Sequence, residues 1–515
     1  MKISKKILII LGSIFLLLVL LDVGLNTYIK NKLPELLNSK KDAAFHISYK
    51  DADFSLLKRR ISANDVKVIP TEALKNPKFK KGIFAEVKSI EIINIDLYKV
   101  IFKNTIKADK LIVLTPKGIM FESDQDKEKP KSNTTDLINK IIYVSNIVIK
   151  NGTFQIINDS ENTPKLNVAN IDVDIQGILV TDNSLKRKLP FDFSTYDFSC
   201  DSLYYRPTKE YHISAKKLKS NNNSLIVENF TYSPEFSRPA FVKRMKTERD
   251  IFGILADTIK LNNMKWGFKN EEFFFKTESL VVENPSADIY RPKMPADDLT
   301  RKKMYSELLR GIPFDMKIDT LKLNNAKLVY EEEKGFDKGP GILSFDQFYM
   351  KTTGITSAYK QNKVEDVKIR IDCRFMKVSP FKVNWSFNVL DKSDAFNING
   401  TIFDFPAADL AVFTKPYTNT QMEGILEEVR FNFNGNNQIS KGTFELKYDD
   451  LKVQIFRKDR ERKNKVISAI ANIFVKKSSK EELKKAEVEV ERIREKSFFN
   501  LLWRSIADGL VQILI

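Results

Sequence analysis

The sequence predicts a mainly β chain: an antiparallel sheet built from repeated strand-turn-strand units, with an apolar helix at its start and amphipathic helices at its end. Three observations predict it. Apolar and polar residues alternate with a period of two from about residue 45 to residue 460, the pattern of strands with one dry and one wet face. A short alternating motif around an Asn recurs along that stretch. Phe 37 and Tyr 16 stand beside only Gly 18 and Pro 18 in 515 residues, a composition that favours strands with few breakers.

At the N-terminus, Lys2, Lys5 and Lys6 precede an apolar run from Ile7 to Leu21, broken by Gly12 and Ser13 and ended by Asp22. Ile7, Ile10, Phe15, Leu18 and Leu21 belong to it and read as a membrane anchor. Signal-peptide cleavage needs small residues at two fixed positions, and the best candidate pair here, Asp22 and Gly24, places an acid at one of them. An uncleaved anchor is therefore expected. Lys30, Lys32, Lys40 and Lys41 follow the run, so lysine counting alone does not orient it. A long domain after a first helix translocates largely regardless of such charges, which places residues after about 26 outside the cytoplasm.

The strands are plainest in the second half. Val367, Ile369, Ile371, Cys373 and Phe375 alternate with Lys368, Arg370, Asp372 and Arg374. After Val378-Ser379-Pro380, the residues Phe381, Val383, Trp385, Phe387 and Val389 alternate with Lys382, Asn384, Ser386 and Asn388. Together they predict an antiparallel hairpin. Val66-Val68, Phe396-Ile398, Val429-Phe431-Phe433, Phe444-Leu446-Tyr448 and Leu451-Val453-Ile455 read the same way. The repeat is Ile259 to Phe268 against Leu321 to Tyr330, with Ile147 to Ile156 as a looser copy; each reads as strand, two-residue turn at Asn, strand. Glu122 to Asp136 reads as a surface loop, and 237–252 and 298–310 as short helical insertions bounded by prolines. In the second insertion Leu299, Tyr305, Leu308 and Leu309 share a face.

From about Asn464 a helical period takes over, with Val466, Ile467, Ile470 and Ile473 on one stripe. Ser479 and Glu482 have capping-box spacing before a Glu- and Lys-rich segment. The last segment places Phe499, Leu502, Trp503, Ile506, Leu510 and Ile513 on one face, and Asn500, Arg504, Ser505, Asp508 and Gln512 on the other. Such a helix docks on the sheet or lies at a lipid interface. The expected organisation is residues 1–26 as tail and anchor, 27–462 as the β body, and 463–515 as a helical end.

The chemistry of catalysis is sparse. No G-x-G-x-x-G, Walker A, H-E-x-x-H or G-x-S-x-G motif occurs. Lys334 to Gly341 has glycines without a following Lys-Ser/Thr and reads as a turn. The acidic pairs Glu271-Glu272 and Asp449-Asp450 point opposite ways on a strand. His46 and His212 lie in alternating stretches, Cys373 continues an apolar face, and Cys200 and Cys373 are the only cysteines. Neither an enzyme, nor a cofactor, nor a metal site is expected. Lys+Arg 85 minus Asp+Glu 67 gives +18, a charge that suits acidic company or a solvated lysine-rich surface. DNA binding lacks a module.

Roughly 25 to 30 strands at about 4.8 Å would extend on the order of 120 to 145 Å as one sheet, which must curl or split. Alternation alone leaves two outcomes, a sandwich whose apolar face is core and a gutter whose apolar face is open, and taken by itself it favours the sandwich. Several stretches resemble the AsmA-like family of TamB-related envelope proteins. These are the N-terminal helix with a helical leg from Tyr28 to Leu37, the run Phe54 to Val68, and the stretches Lys88 to Tyr98 and Ile106 to Val113. Phe396 to Gly400, Gly442 to Lys452 and Trp503 to Gly509 continue the likeness. The resemblance implies an elongated, curled β-groove in the periplasm, single-pass anchoring in a bacterial inner membrane, and a role in phospholipid traffic or outer-membrane homeostasis. The implied partners are phospholipid or another envelope lipid, the inner membrane and envelope proteins, with no nucleic acid and no catalytic residue. Ile369, Ile371, Phe375, Val383, Trp385, Phe387, Phe431 and Phe433 would line the groove, and Phe499, Leu502, Trp503, Ile506 and Leu510 would form an interfacial helix. The alternative is a non-transporting assembly scaffold with a packed β core.

Overall fold

The computed structural model describes residues 45–122, 141–158, 163–455, 479 and 482–514, apart from positions 77, 104, 338 and 419, together with 19, 22–23 and 26–27. The anchor residues Ile7, Ile10, Phe15, Leu18 and Leu21, the leg from Tyr28 to Leu37 and the 464–473 stripe lie outside the described residues. Strand accounts for 62% of the structure and helix for 13%, so the chain is mainly β. Twenty-four strands share one sheet. That sheet is mixed rather than antiparallel, because β5 (Thr105–Glu122) and β6 (Ile141–Asn158) run parallel, as do two pairs in the second unit. Among the described residues no helix is long and apolar enough to cross a membrane.

The chain divides into two compact units, the first Met1–Pro207 with Ile213–Val227, the second Thr208–His212 with Glu228–Ile515. The first carries, besides β5 and β6, β1 (Phe45–Ser48), β2 (Asp51–Ser55), β3 (Arg60–Pro70), β4 (Gly82–Ile93), β7 (Thr163–Val180), β8 (Thr195–Cys200) and β9 (Ser202–Tyr205). The segments β10 (Tyr211–Ala215), β11 (Lys217–Asn221) and β12 (Ser224–Pro234) follow. Neighbours pair in the order β2, β3, β4, β5, β6, β7, after which β7 meets β8 with one half and β9 with the other.

These strands bend without ending. At Asn151 of β6 φ is 55°, and at Thr115 of β5 it is 49°. One residue in the left-handed region inserts an extra step into the alternation, so two consecutive residues face outward. Ile147 and Ile149 therefore share a face with Phe154 and Ile156, although their parities differ. The expected two-residue turn at the repeated Asn is this corner instead: β17 (Asp315–Glu333) runs straight through Asn325 at φ 52°. The outward amides ladder together, Asn325 Nδ2 donating to Asn284 Oδ1 at 2.9 Å and Asn284 Nδ2 to Asp257 Oδ2 at 2.9 Å. Asn suits both demands, tolerating positive φ and bonding its neighbour.

The second unit holds β13 (Ile251–Asn262), β14 (Lys265–Lys269), β15 (Glu272–Glu283) and β16 (Ser286–Pro292), then β17 and β18 (Gly341–Thr356). An antiparallel meander completes it: β19 (Val367–Phe375), β20 (Ser379–Phe387), β21 (Phe396–Pro406), β22 (Thr420–Gly435), β23 (Ile439–Ile455) and β24 (Lys484–Glu491). The predicted hairpin is β19 and β20, with Ile369 opposite Trp385 and Ile371 opposite Val383. The two insertions contribute short helices, Arg238–Val242 and Tyr305–Arg310. The second is fastened by Arg310 and Ser306, which reach the buried Asp394 at 2.9 and 2.8 Å. Leu299 lies before that helix and is exposed, as is Leu308, so only half of the predicted face packs: Leu309 meets the core and the Tyr305 ring lies edge-on to Trp385 at 5.1 Å.

The C-terminal reading needs two corrections. Lys484–Glu491 is a strand, with Ala486, Val488 and Val490 buried against exposed Glu487 and Glu489. Ser479 caps no helix; its backbone N–H donates to Tyr448 O at 3.0 Å. The helix Phe498–Leu514 does form, but turned about its axis. Its buried stripe is Phe498, Leu501, Ser505 and Gly509, while Phe499 and Trp503 are exposed. Small residues at 505 and 509 let the helix approach the sheet, where a Cβ on Gly509 would lie 2.3 Å from Phe444 Cβ. Ser505 Oγ satisfies itself on Leu501 O at 3.0 Å.

Candidate functional site

In the first unit, cross-strand register assembles one apolar face from residues far apart in sequence. Ile61, Ile92, Leu111, Ile147, Ile175 and Tyr196 face one another in turn across six strands. The adjacent row is Ala63, Ile90, Val113, Ile149, Val173 and Phe198. Past the Thr115 and Asn151 corner the same face continues through Ala85, Gly118, Phe154, Val168 and Leu203. Six strands at about 4.8 Å make each row roughly 24 Å across.

No ionisable side chain other than the Tyr196 phenol interrupts the first two rows, and all twelve residues are only half-buried. Among the described residues, both clusters of buried side chains lie in the second unit. A contiguous apolar face that stays half-accessible is the kind of surface that marks a binding site when it is large. The opposite side of the sheet carries ion pairs and amides, for instance Lys150 with Asp172 at 3.0 Å and Asn146 with Asp174 at 2.9 Å. The chemistry on offer is apolar contact on one side and a mixed surface on the other, where Ile112 and the buried Val148 lie among the polar pairs.

The eight residues expected to line a groove occupy the matching rows of the second unit, and they do share a face. Ile371, Val383, Gly400, Phe431 and Phe444 follow one another across strands, as do Ile369, Trp385, Ile398 and Phe433. That face is filled. Val383, Phe387, Phe431 and Phe433 are buried, and Ile369, Ile371, Phe375 and Trp385 pack against the same core. The C-terminal helix closes it, with the Phe498 ring stacked on Trp385 at 4.7 Å. These eight positions are therefore core, not an open trough. Of the five expected interfacial residues, Leu502, Ile506 and Leu510 pack on this core, whereas Phe499 and Trp503 stay exposed beside Tyr305 and Phe413.

The open floor in the first unit was hidden from sequence reasoning because no single strand there looks unusual. Its signal is the recurrence of Ile90-Glu91-Ile92, Leu111-Ile112-Val113, Ile147-Val148-Ile149 and Val173-Asp174-Ile175 in four successive strands. Elsewhere the titratable groups serve packing. Burial pushes the Cys373 thiol up to about 12, so it stays protonated and unreactive at neutral pH. His212 Nδ1 lies 3.1 Å from Glu235. A shallow, open depression of about 360 Å³ lined by Lys322, Lys351, Arg370, Lys382 and Tyr349 is polar-rimmed and too open to enclose a ligand. Among the described residues no group of three or more metal-ligating side chains converges.

No protein-family model matches this chain, and no curated protein is similar to it.

Proposed function

We propose that this chain is a membrane-anchored envelope protein of the AsmA-like kind, which binds the acyl chains of phospholipid on the inner face of its first unit and passes lipid along it. The barrier to lipid movement through water is tail exposure. At about 0.8 kcal/mol per methylene, baring roughly thirty methylenes costs about 24 kcal/mol. A half-open apolar floor lowers that cost by covering the tails and leaving the headgroup in water, with no catalytic step and no energy source. The observation that carries the reading is the pair of uninterrupted apolar rows from Ile61 to Tyr196 and from Ala63 to Phe198, every residue of which is only half-buried.

The test is photocrosslinking in bacterial membranes or vesicles with a phospholipid bearing a diazirine near its acyl terminus. Label is expected on peptides from β4 to β7. Label confined to the N-terminal apolar run, with none on those strands, would refute the assignment. A scaffold reading is favoured by one observation, the filled core beneath the C-terminal helix. It predicts no crosslinked lipid anywhere in the sheet.

A further inference from the structure

We propose that one strand end of the first unit is a docking surface for the anionic headgroups of a phospholipid bilayer, holding that end of the apolar floor against the membrane. The loops after β2, between β4 and β5, and after β7 lie at the same end of neighbouring strands. Ser55 pairs with Arg60, Arg60 with Ile93, and Ile142 with both Ile106 and Val180. The β4–β5 loop carries the short helix Leu97–Phe102, held back on the sheet by the Asp96 N–H donating to Lys107 O at 2.9 Å.

This end combines exposed rings and exposed cations. Tyr98 is 61% and Phe102 69% exposed, with their ring centroids 5.3 Å apart, and Leu57 and Ile141 are also exposed. Lys58, Arg59, Lys103 and Lys186 are exposed around them, and together with Lys99 they have no ion-pair partner among the described residues. Three carboxylates near this end are engaged, and Asp182, exposed in the loop after β7, is the acidic exception beside Lys186. Asp96 caps the helix, Asp109 accepts from Asn94 at 3.0 Å, and Glu91 pairs with Arg60 at 2.7 Å. Amphipathic rings with unpaired cations are the composition of a bilayer interface, where each Lys or Arg is attracted by anionic lipid.

The path of the chain selects a bilayer over an acidic protein. Asn26 Oδ1 accepts from Phe54 N–H at 3.1 Å, and Asp22 Oδ2 from Ser55 Oγ at 3.1 Å, with Leu56 N–H also on Asp22. Read backwards from Asn26 to Asp22, the contacts step outward along β2 and past its end. The apolar run Ile7 to Leu21 lies immediately before Asp22 in sequence. The surface thus adjoins the point where the segment read as the anchor meets the sheet, and the inference rests on that part of the proposed function.

The experiment uses the full chain reconstituted in phosphatidylcholine vesicles with or without phosphatidylglycerol. A fluorophore is attached to Phe102→Cys or, as a control at the opposite strand end of the same unit, to the exposed Ile83→Cys; Cys200 and Cys373 are buried and do not compete. Brominated lipid is expected to quench the label at 102 severalfold more than the label at 83, only when phosphatidylglycerol is present. Lys99→Glu with Lys103→Glu should abolish most of that difference, and high salt should weaken it. Equal quenching at both positions, or quenching at 102 that ignores lipid charge, would overturn the proposal. Quenching that is relieved by an added acidic polypeptide but not by charge-neutral lipid would reassign the surface to a protein partner. The readout is independent of acyl binding on the floor, so the lipid-carrier reading can fail while this one stands.

Discussion

Replacing Ile147 by Asp separates an open floor from a plugged core by its cost to stability. Ile147 sits between Leu111 and Ile175 in the middle of the first row and is half-buried. If that face is open, the new carboxylate stays hydrated; the substitution loses a β-branched strand residue and some apolar contact, about 1–2 kcal/mol in all. If the face is filled, the charge is buried without a partner and costs roughly 3–5 kcal/mol. Phe433→Asp is the internal reference, since Phe433 is 0% exposed in the filled unit, and it should exceed about 4 kcal/mol. Urea denaturation monitored by circular dichroism, with limited proteolysis to assign each transition to a unit, gives both numbers. Phospholipid binding to the folded Ile147→Asp chain should fall by at least roughly 10-fold, about 1.4 kcal/mol. A loss of stability near that of Phe433→Asp would refute the open floor, and so would undiminished lipid binding by a folded variant.

Other consequences follow from the second unit and the corners. Gly509→Val should lift the C-terminal helix from Phe444, costing about 1–3 kcal/mol through overpacking and exposing the 498–514 segment to proteases; an unchanged digestion pattern would contradict the packing described. Burial works against the Glu248 carboxylate, but Lys293 at 2.7 Å and Lys496 at 2.8 Å hold its pKa below the ordinary carboxylate value. A lowered folded pKa contributes stability that is present at neutral pH and lost as pH falls through that folded value. Hydrogen exchange around Lys496 should therefore rise in acid, and Glu248→Gln should flatten that dependence while raising exchange at neutral pH. Asn325→Val should cost about 1–2 kcal/mol, because a β-branched residue resists positive φ, whereas Asn325→Gly should be nearly neutral in the same denaturation assay.

The parts of this fold legible in the sequence were those where alternation runs unbroken. β19 and β20 could be placed residue by residue because they hold five and four apolar positions at period two. The corners were not legible as corners. Asn324-Asn325 shows two consecutive polar residues inside an alternating run, the same trace a hairpin turn leaves, and only the pairing partners distinguish a bend from a reversal. β24 was hidden by composition, since Lys, Glu and Ala favour helix and only Ala486, Val488 and Val490 speak for a strand. In the last helix, hydrophobicity ranks Trp503 as the buried face and Ser505 as the wet one. Close approach to Phe444 reverses them, because a sheet admits a helix most nearly along its small side chains. Residue type also showed where apolar faces exist without showing which are covered. The eight positions in β19, β20 and β22 do share one apolar face, and what covers them is a helix whose seat depends on Gly509.

The most direct measurement is native mass spectrometry of the full chain released gently from detergent micelles. The account predicts a bound population heavier by the mass of one or more phospholipids, lost when Leu111→Asp and Ile149→Asp are combined on the floor and retained when Phe499→Asp is made on the exposed side of the C-terminal helix. A wild-type chain that emerges folded and bare, with no lipid adduct at any collision energy, would contradict it.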